Sequence, residues 1–192
     1  MNKQLQSEFR KLLKSLGENP DREGLKKTAQ RAAQALRLFA IGYSEDLSSI
    51  IGGAIYNESS NNMLIIKDIE FYSLCEHHLL PFFGKCHIGY VPCGKVIGLS
   101  KLPRIVGMYS RRLQLQERIT AQIAQAINKT LNPKGVAVVM EALHTCMMIG
   151  CSEKHSGKTV TSSVLGSFSS NRKTREEFLR LIGAKKPIED FE

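Results

Sequence analysis

An α+β fold, an antiparallel sheet with helices on one face, is the class this sequence predicts, and three observations point to it. Residues 9–16 and 26–40 carry apolar side chains at helical spacing. From Met63 the period changes: residues 63–74 are β-branched and aromatic with brief polar breaks, and residues 85–91 and 95–99 follow as short strands. Two helices, two strands and a last helix come next, not the strand–helix alternation of a parallel sheet.

Phe9, Leu12, Leu13 and Leu16 stand at i, i+3, i+4 and i+7 of the first helix, and Gly17 ends it. A polar turn with Pro20 leads to the second helix, rich in Ala, Leu and Arg, which Gly42 closes. These helices suit a small bundle or an arm that docks on a neighbouring subunit. Residues 1–60 read as an N-terminal helical region and residues 61–192 as the sheet-bearing domain. Residues 57–62 read as a loop.

Pro92-x-Gly94 reads as a hairpin turn joining residues 85–91 to 95–99, with Cys86 and Cys93 as packing residues. His87 in the same hairpin packs or bonds the backbone. Residues 101–113 read as a helix with Ser100 as N-cap and Pro103 tolerated in the first turn. Residues 116–131 form a longer helix with an apolar stripe of Ile119, Ile123, Ile127 and Leu131. Residues 135–149 and 159–168 read as strands around a polar loop at 154–158. Residues 172–182 read as a closing helix on Phe178, Leu179 and Ile182. Such a sheet leaves edge strands that need covering or pairing.

The bulk properties narrow the function. A chain of 192 residues fits one domain with an adequate core. Five cysteines, an odd count, and a polar start without an apolar leader argue against a disulfide framework. No run approaches the ~18 apolar residues of a membrane span. The expectation is a soluble protein of a reducing compartment, the cytoplasm, with no membrane partner. A net charge of +9, spread without a long basic tract, suits an anionic ligand or simply a solvated basic surface.

The chemistry gathers in two short stretches. Cys75 and His78, spaced Cys-x-x-His, can converge on one ion if the backbone turns between them. Pro81 just beyond suits a turn better than a continuing strand. Cys146 is a third candidate ligand, and His144 shares its strand face if residues 135–149 are extended. Three ligands with an open position are typical of catalytic zinc, and His77 and His144 remain for proton transfer. Buried cysteines also serve as small hydrophobes, but the clustering favours metal. His78 and Cys146 are 68 residues apart, too far for a compact nucleic-acid finger, so no nucleic-acid partner is expected.

Several blocks carry a resemblance. Cys75-Glu76-His77-His78-x-x-Pro81-Phe82-x-Gly84, Gly98-Leu99-Ser100-Lys101, Gln114-x-Gln116-Glu117-Arg118-x-Thr120 and His144-x-Cys146-Met147 resemble the GTP cyclohydrolase I family, in its order and spacing. Residues 17–25 and Thr159-x-Thr161-Ser162 extend the likeness over nearly the whole chain. The resemblance implies the tunnelling fold, with sheets joined between subunits into a barrel and two pentamers stacked into a homodecamer. It implies zinc on Cys75, His78 and Cys146, proton transfer by His77 and His144, and conversion of GTP to 7,8-dihydroneopterin triphosphate with release of formate.

The remaining site residues follow from the same likeness. Glu117, with Gln116 beside it, would hold guanine; without the family it reads rather as a helix-start glutamate favoured by the macrodipole. Ser100, Lys101 and Arg104 would meet the triphosphate and sugar end, where a capped, solvated helix start is the other reading. Arg31 would reach a neighbour's triphosphate, although Ala29 stands where the family usually has proline.

One block departs. Four residues after the ligand cysteine the family has arginine and glycine, and here stand Gly150 and Cys151. If the strand continues, Cys146, Met148 and Gly150 share a face and Cys151 points away from the metal. The change then removes one anion contact near Lys101 and Arg104, which Lys154 or Lys158 could restore. It opens two alternatives: a relative with weakened triphosphate binding acting on another guanine nucleotide or nucleoside, and a non-catalytic purine- or pterin-binding subunit.

Overall fold

A computed structural model describes residues 2–150 and 157–183. Two helices, α1 (Asn2–Ser15) and α2 (Thr28–Ala40), pack on each other as an antiparallel pair. Gly17 follows α1 at φ +83°. A short helix α3 (Leu47–Ile51) follows, capped by the Asp46 carboxylate, which accepts the Ser49 N–H. The sequence left residues 44–56 unassigned, and this cap is the local signal for α3.

The sheet is β5-β2-β3-β6-β7, built from β2 (Leu64–Cys75), β3 (Pro81–Val91), β5 (Leu113–Gln114), β6 (Gly135–His144) and β7 (Thr159–Gly166). All pairs are antiparallel except the two-residue β5, which runs parallel to the end of β2. Pro81 opens β3, the one place in a strand where its missing N–H is harmless. The expected hairpin across Pro92-x-Gly94 does not form. The strand β4 (Lys95–Ile97) turns away after Gly94 and pairs with β1 (Ile55–Asn57) in a separate two-stranded sheet.

Helices α4 (Lys101–Ser110) and α5 (Gln116–Leu131) form the layer over one sheet face. Leu102, Ile105, Ile119, Ile123 and Ile127 are fully buried there with Ile88, Val136, Val138 and Met140. Each contributes about 1.5–3 kcal/mol by leaving water. Ser100 sits in helical conformation and its hydroxyl makes no cap bond, so the expected N-cap is absent. The short helix α7 (Ser167–Ser170) and α8 (Arg172–Gly183) add a smaller core on the opposite face, where Phe168 and Phe178 meet edge to face over Ala137 and Val139. Gly89 lies beneath them, and a Cβ there would come within 2.6 Å of the Phe178 ring.

The strand expected over residues 135–149 ends at His144. Thr145–Met148 form a single helical turn, α6, because the Thr145 hydroxyl donates to the Pro81 carbonyl at 2.6 Å and anchors the chain to the start of β3. The alternation invoked for Cys146, Met148 and Gly150 therefore does not operate. Cys151 and Lys154 lie outside the described residues.

His87 bonds the backbone. It is 3% exposed, and its Nδ1 accepts the Asp68 N–H at a β2 bulge, where Asp68 has φ +62°. Burial holds the imidazole pKa below its ordinary 6.5 although Asp68 and Glu141 pull it up. The folded state thus favours neutral His87, and the unfolded chain takes up the proton first. Stability from this group is complete above about pH 6.5 and is lost as pH falls toward the lower folded value. His87→Gln keeps an acceptor for Asp68 and cannot titrate. Urea unfolding at pH 7.5 and 5.5 should show a smaller acid loss than in the wild type; an equal loss counts against the assignment.

Candidate metal centre and purine site

The metal-ligating side chains come from two chain reversals at one end of the sheet. β2 ends at Cys75, and the turn to β3 is closed by Leu79 N–H to Cys75 O at 2.8 Å and Cys75 N–H to Leu80 O at 2.9 Å. Leu79 is held at φ +55°, a strained conformation for a bulky residue. That turn brings the Cys75 Sγ to 3.8 Å from the His78 Nδ1. The α6 turn supplies Cys146. The donor atoms of Cys75, His78 and Cys146 all lie within 4.8 Å of one another.

This donor set suits a metal. Cys75 and Cys146 are buried, while His78 is on the open side. Burial, and then the neighbouring Cys75, push the Cys146 thiol above its ordinary pKa. Two sulfurs and one imidazole nitrogen this close form a donor set that could hold a metal ion. Among the described residues, Cys75, Cys86, Cys93 and Cys146 are free thiols.

His144 ends β6 beside this group. Its ring lies flat on Phe82, with centroids 4.5 Å apart and planes at 6°. Its Nε2 is 2.8 Å from the Gln116 Oε1. Burial lowers the His144 pKa, and the Glu117 charge partly offsets it. Glu117 itself is exposed in the first turn of α5. His77 is exposed, edge-on to His78 at 6.1 Å.

Gln116, expected beside the guanine, has its side chain engaged within the chain. It is 2% exposed, and its amide nitrogen is shared among Met140 O, Thr159 O and Thr161 Oγ1. It stands behind His144. Ser100, Lys101 and Arg104 gather at the start of α4, while the far end of that helix leads to β5 beside Cys75. Ten residues of helix span about 15 Å. Arg31 is exposed on α2. Gly150 has φ +79° and open space around a Cβ. Lys158 leans to Glu141 at 3.4 Å.

Two contributors escaped the sequence reading. Phe82 is the platform for His144. Arg118 pairs with Glu76 through two contacts, 2.5 and 3.1 Å, and ties the metal turn to α5. The hydrogen bond from Arg118, and then its charge, hold the Glu76 carboxyl below the usual range. Both appeared only as letters in the family blocks; their roles depend on contacts between distant segments.

Comparison with known proteins follows the same residues. The family model described as GTP cyclohydrolase I matches residues 5–183. The GTP cyclohydrolase 1 of Methylococcus capsulatus is 54% identical over 185 residues, 96% of this chain and 100% of that protein. The human GTP cyclohydrolase 1 is 55% identical over 178 residues, 93% of this chain and 71% of that protein. That of Drosophila melanogaster is 54% identical over 177 residues, 92% of this chain and 55% of that protein. The chain spans about half the length of the fly protein and the whole of the bacterial one. A match of this extent shows that the chain belongs to the GTP cyclohydrolase I family.

Proposed function

We propose that the protein is a zinc-dependent hydrolase that opens the imidazole ring of GTP, releases C8 as formate and recloses the product to 7,8-dihydroneopterin triphosphate. The observation that carries this reading is the convergence of Cys75, His78 and Cys146, with His144 two residues before Cys146, in a chain of this family. Guanine offers N1–H and an exocyclic amine on one edge, and the Glu117 carboxylate can accept both in charge-assisted bonds. That anchor presents the imidazole side of the purine to the metal end. His144 and His77 are the groups to move protons there near neutral pH. When bound, zinc supplies Lewis acidity and lowers the pKa of water toward neutrality.

Ser100, Lys101 and Arg104 are proposed to take the triphosphate, with a helix start and two cations matched to phosphate oxygens. The assembly proposed is a homodecamer of two pentamers, with Arg31 and the N-terminal helices reaching a neighbour. Cytoplasm is the proposed compartment, where thiols stay free for metal. No helix among the described residues is long and apolar enough to cross a membrane.

The test is incubation with GTP, GDP, GMP and guanosine, following fluorescence of the oxidised pterin. Product from GTP is expected, and no pterin from any of the four overturns the enzymatic reading. Gly150 favours a second reading, weakened discrimination for the triphosphate, since no side chain at that position reaches an anion. Comparable turnover of GTP and GMP is its signature; strong preference for GTP rejects it.

A further inference from the structure

The hydrogen bonds around Gln116 form a chain with one consistent direction. The Thr120 hydroxyl donates to the Gln116 carbonyl oxygen at 2.7 Å, so its single proton is used. Thr161, 2.7 Å from the Thr120 Oγ1, must then donate to it, and its own oxygen accepts from the Gln116 amide nitrogen at 3.1 Å. The same nitrogen faces Met140 O and Thr159 O, both at 3.0 Å, and carbonyls only accept. The amide cannot be turned over, because its oxygen would face those two carbonyls in a buried site. The atom 2.8 Å from the His144 Nε2 is therefore an oxygen, and it can only accept. A neutral imidazole carries one N–H, and here it is on Nε2. Stacking on Phe82 fixes the plane of the ring, and Gln116 fixes its rotation within that plane.

We propose that Gln116 is a positioning residue that holds His144 as the Nε2–H tautomer and confines proton transfer at His144 to Nδ1. The catalytic half of this rests on the reading that His144 moves protons in ring opening. The tautomer half rests on geometry alone. It moves Gln116 from substrate contact to a place behind the histidine.

Magic-angle-spinning 15N and 13C NMR of histidine-labelled, zinc-loaded protein at pH 8 tests it, with the His144 signals assigned by their loss in His144→Asn. Signals of an Nε2–H imidazole are expected; an Nδ1–H form, or a mixture of both, overturns the proposal. Gln116→Met keeps side-chain length and removes both donor and acceptor. It should release the tautomer preference and lower kcat for formate release about ten- to a hundredfold, with KM for GTP within about threefold and zinc content unchanged. Unchanged kcat, or a rise in KM alone, overturns the positioning role. If Gln116→Met does not fold, the wild-type spectrum still decides the tautomer. Absence of formate from wild type with GTP rejects the functional reading, and the spectrum is unaffected by that failure.

Discussion

Cys146→Ala is expected to strip the protein of metal and of formate release while the fold stands. Three donors are proposed to hold the ion, and structural zinc sites with four bind with about 10–16 kcal/mol. One thiolate is thus worth about 3 kcal/mol, on the order of a hundredfold in affinity. Loss of the ion removes several kcal/mol of transition-state stabilisation, about a thousandfold or more in rate. The scaffold loses little. Cys146 lies at the edge of the main core, 7% exposed on a single helical turn, so the packing cost is about 1–2 kcal/mol. Metal analysis beside a thermal melt checks this. Full zinc occupancy in a folded Cys146→Ala protein would sink the ligand assignment.

Glu117→Gln should weaken guanine binding about ten- to a hundredfold. The carboxylate accepts two donors from one purine edge, whereas an amide offers one oxygen and presents an N–H to the other donor. A hydrogen bond to a charged group is worth about 1.5–3 kcal/mol, which gives that range. The sharper readout compares GTP with ITP, which lacks the exocyclic amine. The wild type should prefer GTP by about tenfold or more, and Glu117→Gln should lose that preference. A preference that survives the substitution rules out Glu117 as the guanine acceptor.

The sequence made the metal group largely legible because its donors sit on tight turns. The Cys-x-x-His spacing predicts convergence, and the β2–β3 turn delivers it. The helix at Gln116–Leu131 was equally readable, since its isoleucine stripe repeats at one period against one sheet face. What failed was set by distant partners. Residues 145–149 continue an apolar pattern, yet the Thr145–Pro81 bond turns the chain at Cys146. Residues 95–97 follow a hairpin-like turn, yet their partner is Ile55–Asn57, forty residues back. Gln116 stands beside Glu117 in the sequence, and its burial against β6 and β7 depends on contacts that the sequence does not show.

The most direct measurement is a single-turnover reaction of the zinc-loaded protein with GTP carrying 14C at C8. Label should leave as formate, one per pterin formed, and should be lost together with metal in Cys146→Ala. Label that stays with the nucleotide in a fully zinc-loaded, folded protein would contradict a ring-opening site built on Cys75, His78 and Cys146.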